Sequence, residues 1–527
     1  MWKDKLKSET FVYIIYAIFI ACLFLFVRGY QFNTDDQAEH LPQVYQLMDH
    51  SLYQHDYFVT EYHKTYSLRS FYVWFVYGLS FIAPVSVICF VLTLLCISLS
   101  SYSFIRITTF YTKDKLTPFM APLFIYFVFY KFTIGGNTIT DSSLICSTIA
   151  LSLAVFGLLQ FHKKKYYLMA MIFGIATLFQ VMDAAQPFFL VALFMIVTFR
   201  RIGIKTVLNT LLIYLLFAGA MLVPMIYHQF FIHYDYDQNK YADIIFFFRN
   251  PNHFVPSSFP SEDYICFIVL LLIGLGQLLE KVKSPFRWYV FFEGNVIIIG
   301  CIIYIICFEA GNMFWIAKTQ WFKSTMWVCA FDSIFIAIGL KQRLLMNLDS
   351  DKMIRIARKI SLIGIPVLLF VILNSAMIPV PKLQGRYMVG NYKKSDLTLM
   401  HEWIASNTDK DATILTAPSD FSFACEAKRS MPIGWKAIIH EPFFMFPWYK
   451  KFGDIYSTRL INVKDGNALS VANSSYNTVL YMPENTPVKI DYRLDDISKC
   501  HFAEALGKEI HRQGNYVLTE FKTHEGQ

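Results

Sequence analysis

Charge is scarce in this sequence. Asp, Glu, Lys and Arg make up 16% of its 527 residues, against about 25% in soluble domains. With 55% hydrophobic and 17% aromatic residues and a mean hydropathy of +0.41, that scarcity excludes an ordinary soluble protein. It points to a polytopic membrane protein with one soluble appendage. The signatures of common cofactor and nucleophile chemistry are missing too. There is no CxxC or Cys/His spacing for zinc, no Gly-rich phosphate loop, no GxSxG and no HExxH. No internal repeat and no low-complexity tract occurs. No small-x-small cleavage site follows the first apolar run, which ends in Phe26-Val27-Arg28-Gly29-Tyr30. That run is therefore expected to be a retained helix rather than a signal peptide. The net charge of +8 does not mark a nucleic-acid partner. The basic residues sit in short clusters between apolar runs, which is the orientation signal of membrane proteins.

What is present is a series of apolar runs. Eleven spans are expected, at roughly 11–27, 82–105, 117–131, 142–160, 166–181, 187–199, 206–227, 264–279, 288–308, 324–340 and 360–378. Alternate loops carry basic clusters at Lys3–Lys7, Arg106–Lys115, Lys163–Lys165, Arg200–Lys205, Lys281–Arg287 and Lys341–Lys359. Counting them places the N-terminus in the cytoplasm and, with an odd number of spans, the C-terminus outside. The outer connections are then unequal. Gly135-Gly136-Asn137 and Asp183-Ala184-Ala185-Gln186 are tiny, whereas 28–70 and 228–263 are long. Residues 71–79 read as an interfacial or re-entrant stretch. No charge pair is expected at the middle of the spans, which disfavours a transporter with polar groups at the midplane.

After Pro379-Val380-Pro381 the hydropathy falls, so a membrane domain over 1–378 and a small α/β domain over 379–527 are expected. Asp396 to Ser406 has helical periodicity. Ala412–Ala417, Tyr476–Met482 and Gly514–Phe521 read as strands. Of ten cysteines, eight lie in apolar runs as small hydrophobes. Cys425 and Cys500 lie in the polar part and are expected to form a disulfide if that part is outside the cytoplasm.

The candidate chemistry gathers in the outer loops. Asn33-Thr34-Asp35-Asp36-Gln37-Ala38-Glu39-His40 puts three acids and a histidine directly after the first span. Charge so near hydrocarbon is costly unless solvated or used. Asp35, Asp36 and Glu39 are the candidate catalytic acids, since neighbouring carboxylates raise one another's pKa and suit a base. The plainer reading is a helix N-terminus, with an acid capping and Glu39 in the first turn. In the second long loop, Arg249 and His253 flank Pro251 and are candidates for gripping a phosphate; the alternative is a surface loop. Lys318 and Lys323, around Gln320, either neutralise a lipid-linked phosphate or snorkel to the headgroups. Asp141 and Asp183, at the ends of apolar runs, read as pocket residues or helix caps. His40, Asp56, Arg69 and Gln320 complete the pocket candidates. Trp435 reads as a core residue, with stacking on a sugar or membrane surface as the alternative.

In place and character, Thr34-Asp35-Asp36-Gln37-Ala38-Glu39-His40 resembles the acidic first-loop motif of the GT-C superfamily of membrane glycosyltransferases. The surface segment through His55-Asp56-Tyr57-Phe58 and the polar C-terminal part extend the likeness. Lys410–Pro418, Lys428-Arg429-Ser430 and Trp435-Lys436 also look like the external domain of bacterial membrane proteins grouped near it. The resemblance implies a polytopic α-helical protein with a C-terminal α/β extracytoplasmic domain in a bacterial cytoplasmic membrane. It implies transfer of a sugar from a polyprenyl-phosphate-linked donor, with a divalent metal left open as cofactor. The competing expectations are a lipid or envelope-precursor transporter or flippase, and a non-catalytic envelope-assembly protein.

Overall fold

The computed structural model describes residues 2–34, 36–64, 67–456, 467–478, 489–500 and 507–521, with the side chains of residues 2–8 left aside. The chain divides into two compact units, each drawn from three pieces of sequence. The first comprises Met1–Tyr30, Ser86–Phe230 and Asn252–Asn391; the second comprises Gln31–Val85, Phe231–Pro251 and Tyr392–Gln527.

The first unit is helical. Among the described residues, seven helices are long and apolar enough to cross a membrane: Glu9–Arg28, Val85–Thr108, Ile204–Phe231, Ser261–Lys281, Arg287–Ala310, Phe314–Arg343 and Ser350–Leu373. Four shorter apolar helices accompany them, Thr117–Val128, Cys146–His162, Tyr166–Phe179 and Val181–Val197. Each expected span thus falls on an apolar helix. The helices differ in what they bury. In Phe314–Arg343, 83% of the 18-residue apolar window is buried, whereas in Ser350–Leu373 only 11% is. An apolar helix that exposed is a poor element for water and an ordinary one for lipid. Its inner stripe packs on the first helix, where Gly364 admits the Phe19 ring; a Cβ there would come within 2.6 Å of it. The expected loop Asp183–Gln186 is instead the first turn of Val181–Val197. The break lies at Gln180, which alone is extended between the two helices.

The second unit mixes helices with a four-stranded sheet of order β1-β2-β4-β3. The strands are β1 Ile414–Leu415, β2 Tyr492–Asp496, β3 Gly507–Gln513 and β4 Tyr516–Phe521. β1 and β2 are parallel, and the other pairs antiparallel, with Leu494 opposite Leu518. Ser395 caps the helix Asp396–Asn407 by accepting from Thr398 N at 3.1 Å. Pro442 starts Pro442–Ile455 at a position where its missing N–H costs nothing. That helix carries Trp448 and Phe452, which with Phe248 and Trp435 form an aromatic core.

Two expectations fail here. Tyr476–Thr478 end a helix, Ala468–Thr478, rather than begin a strand; the rest of that predicted strand, 479–482, lies outside the described residues. Tyr476 is held in place by β2. Its hydroxyl donates to Leu494 O at 2.6 Å, and its carbonyl accepts from the buried Arg493 at 2.7 Å. The disulfide is also absent. Cys425 Sγ lies 3.6 Å from Gln37 O, and Cys500 Sγ lies 3.7 Å from Arg493 Nη2, so each thiol is buried against a partner of its own.

Candidate functional site

The second unit brings several of the candidate residues together. Asn33 adopts a left-handed conformation (φ 62°), and its N–H donates to Gln37 Oε1 at 2.7 Å. This turn ends the first connection and starts the helix Gln37–Met48. Asp36 occupies the cap position but makes no side-chain cap bond. Its carboxylate instead accepts from Lys436 Nζ at 2.8 Å. One turn on, the 6% exposed Glu39 meets Arg69 Nη2 at 2.5 Å. His40 follows, buried, with its ring 4.8 Å from that of Tyr72. Asp35 lies outside the described residues.

The two acids differ electrostatically. Burial pushes the Asp36 carboxyl up, but the charge and hydrogen bond of Lys436, reinforced by Arg69, outweigh it and hold the group below the usual carboxylate range. Asp36 keeps 49% of its side chain exposed, so the pairing governs its charge. Glu39 goes the other way. Burial dominates and raises it, against the lowering effect of Arg69. A carboxyl raised in this sense is the better proton acceptor near neutral pH. Burial holds His40 down to about 3, so its imidazole is neutral.

Arg249 belongs to the same cluster. Burial lowers it to about 10, opposed by the charges of Glu39 and Asp36, and it stays cationic at neutral pH. Its Nε donates to Trp435 O at 2.9 Å, Nη1 to Asn250 Oδ1 at 2.8 Å and Nη2 to Lys436 O at 3.4 Å. The guanidinium also lies over the Trp435 ring at 4.8 Å. Three of its five N–H groups are therefore engaged and two remain for an anion. Beside the cluster is a small cleft lined by Asp56, Phe58, Asp420, Phe421, Trp435 and Lys436 among others. Asp56 is structural. It accepts from Val59 N at 3.0 Å and Met431 N at 3.1 Å, capping Tyr57–Tyr62 and clamping residue 431. Burial raises its carboxyl to about 6.

The remaining candidates belong to the first unit. Asp183 is 2% exposed, with Lys323 Nζ 3.7 Å from its Oδ1. Lys318 donates to Gln229 at 2.6 Å. Gln320 is left-handed (φ 43°), and its carbonyl accepts from Gln186 at 3.3 Å. Asp141 turns back on Ser143 N at 3.1 Å. His253 is exposed on the short helix Pro251–Phe254.

A divalent metal does not fit the described acids. Asp36 is engaged by Lys436 and Glu39 by Arg69, and no group of three or more His, Cys, Asp or Glu suited to a metal occurs among the described residues.

Sequence reasoning missed Lys436 as the partner of Asp36, a contact across 400 positions that no local pattern signals. It also missed a buried triad. His401 Nδ1 lies 2.8 Å from Glu426 Oε2 and its Nε2 2.9 Å from Asp420 Oδ2, with the imidazole fully buried. Burial alone would lower this histidine, but the charges and hydrogen bonds of Asp420 and Glu426 raise it to about 9. The third omission had a signal. Glu293 and Asp332 are the sole charges in the runs 288–308 and 324–340, and both are buried.

A family described as Domain of unknown function (DUF6798) matches residues 395–455. That stretch holds the His401 triad, Trp435 and Lys436. No curated protein matches the chain.

Proposed function

We propose that this chain is a membrane glycosyltransferase. It moves a sugar from a polyprenyl-phosphate-linked donor to an envelope glycan, lipid or protein at the outer face of a bacterial cytoplasmic membrane. The observation that supports the reading is the meeting of Asp36 and Glu39 with Arg69, Arg249 and Lys436 in one unit. An anionic donor group needs cations, and two N–H groups of Arg249 together with Lys436 supply them. An acceptor hydroxyl needs a base, and Glu39, raised by burial, takes its proton as the C–O bond to the sugar forms and the donor phosphate leaves. Asp36 keeps Lys436 in position.

The test is transfer from a synthetic polyprenyl-phosphate sugar by the full-length protein in proteoliposomes. Glu39→Gln should lose about 10²–10⁴ in rate, and Asp36→Asn should weaken donor use. Wild-type transfer by folded Glu39→Gln protein would remove Glu39 from catalysis, and no transfer by the wild type from any such donor would remove the reading itself. One observation favours the second reading, a transporter of a lipid or envelope precursor: Glu293 and Asp332 are buried within apolar helices, as substrate and ion sites of transporters are. Donor-independent movement of a labelled lipid precursor across the vesicle would support it.

A further inference from the structure

We propose that Glu293 and Asp332 form a proton-binding site buried between helices of the first unit, a site that the glycosyltransferase reading does not require. Glu293 lies on Arg287–Ile305 and Asp332 on Thr325–Arg343, and they are 1% and 5% exposed. Both line one cavity, whose remaining walls are largely Leu, Val, Ile and Phe. Neither oxygen of Glu293 and not Oδ2 of Asp332 has a hydrogen-bond partner meeting ordinary geometry. The Asp332 carboxyl lies in the space left by Gly274 on Ser261–Lys281; a Cβ there would sit 2.3 Å from Oδ1, so the packing holds the acid against an apolar helix.

The neighbours bring no positive charge. Tyr289 is fully buried one turn before Glu293, close enough to interact with it, and its hydroxyl likewise lacks a well-formed partner. Tyr111 acts on Glu293 from another segment, and Cys329 lies beside Asp332 on its own helix. His162 is next to both tyrosines, but its Nδ1 faces Leu158 O at 2.8 Å and its Nε2 faces the Tyr111 hydroxyl at 2.7 Å. Those partners suit the neutral ring, Nδ1 donating and Nε2 accepting. Among the described residues, no Lys or Arg acts on either acid.

Two carboxylates enclosed by hydrocarbon, with no cation and only the Tyr289 hydroxyl close to Glu293 as a donor, cannot both remain ionised. Each also raises the cost of ionising the other. A proton removes the charge, and the resulting carboxyl supplies a donor of its own. The cavity's polar edge consists of these two acids and Asn295, and the rest of its lining is apolar.

Infrared spectroscopy of the full-length protein in lipid at pH 7 tests the assignment. The wild type minus the Glu293→Gln, Asp332→Asn double variant should show the carbonyl band of a protonated carboxylic acid, shifted in deuterated water and lost only at alkaline pH. The amide replacements keep the shape of the neutral acids, so the variant is expected to fold. Should it fail to, labelling of the wild type with a hydrophobic carbodiimide, located by mass spectrometry, reads the same state: modification of Glu293 or Asp332 at neutral pH, disappearing as pH rises. Absence of a protonated-acid band at pH 7, or absence of modification where the double variant cannot be made, overturns the proposal. Removal of the band by sodium at fixed pH also overturns it, in favour of a metal-cation site.

Discussion

The two buried acidic sites of this chain contrast sharply. In the second unit, Asp420 and Glu426 enclose His401, and every charge has an opposite charge at hydrogen-bond distance. In the first unit, Glu293 and Asp332 have no cation among the described residues. The first arrangement returns much of the desolvation cost through pairing, so it can hold a fold together. The second returns almost none of it as long as the acids are ionised. Burial of a carboxylate is thus by itself uninformative; what decides its role is whether the fold supplies the counter-charge.

The contrast predicts opposite responses to removing one group. His401→Leu leaves two buried carboxylates facing one another and should destabilise the protein by about 3–5 kcal/mol, read by chemical unfolding of the full-length chain in detergent. A loss under about 1 kcal/mol would show that the triad is not a structural tie. Glu293→Gln with Asp332→Asn, by contrast, should leave stability unchanged or higher in the same measurement.

The triad also gives the second unit a pH dependence. His401 is raised from 6.5 to about 9, so the folded state binds the proton more tightly than the unfolded one. Its stabilisation is complete below pH 6.5 and is lost as pH rises through 9, a change on the order of 3 kcal/mol. Unfolding midpoints from pH 6 to 10 should fall accordingly in the wild type and lose this component in His401→Leu. An unchanged slope in the variant would assign the dependence to other groups.

Asp56 is an intermediate case, buried and satisfied by two backbone N–H groups instead of a cation. Asp56→Ala should cost about 1–2 kcal/mol, and a neutral effect would mean that water replaces both bonds. The smallest effect belongs to Asp36, half exposed and paired with Lys436. Asp36→Asn should change stability by only about 0.2–1 kcal/mol, while donor use in the transfer assay falls. Equal loss of both would mark the ion pair as a structural latch.

The legible parts of the molecule were those with a local cause. Apolar runs long enough to span a bilayer fell on helices, and the Asp396–Asn407 helix was visible in its periodicity. The acidic stretch after the first span was visible as charge next to hydrocarbon, and Arg249 as a cation in a loop of restricted backbone. What stayed hidden depends on long-range meeting. Lys436 reaches Asp36, Met431 reaches Asp56, and Glu426 and Asp420 meet on His401, all through tertiary packing. The helix at Tyr476 overrode a β-branched and aromatic pattern because Arg493 and Leu494 fix that tyrosine. Glu293 and Asp332 differ: each stood alone in an uncharged run, and an isolated acid in such a run is informative without any structure.

The second unit is assembled from pieces that leave the ribosome far apart in time. Roughly 300 residues separate Val85 from Tyr392, and at about 5–20 residues per second that interval is about 15–60 s. During it, the helix carrying Asp36 and Glu39 exists without Lys436, and Asp56 without the Met431 N–H that it accepts from. The acidic stretch is thus made early and completed last. A nascent chain halted before residue 392 would hold Glu39 beside Arg69 but leave Asp36 without Lys436, a window in which a chaperone or a lipid headgroup has access to an acid that the finished protein pairs.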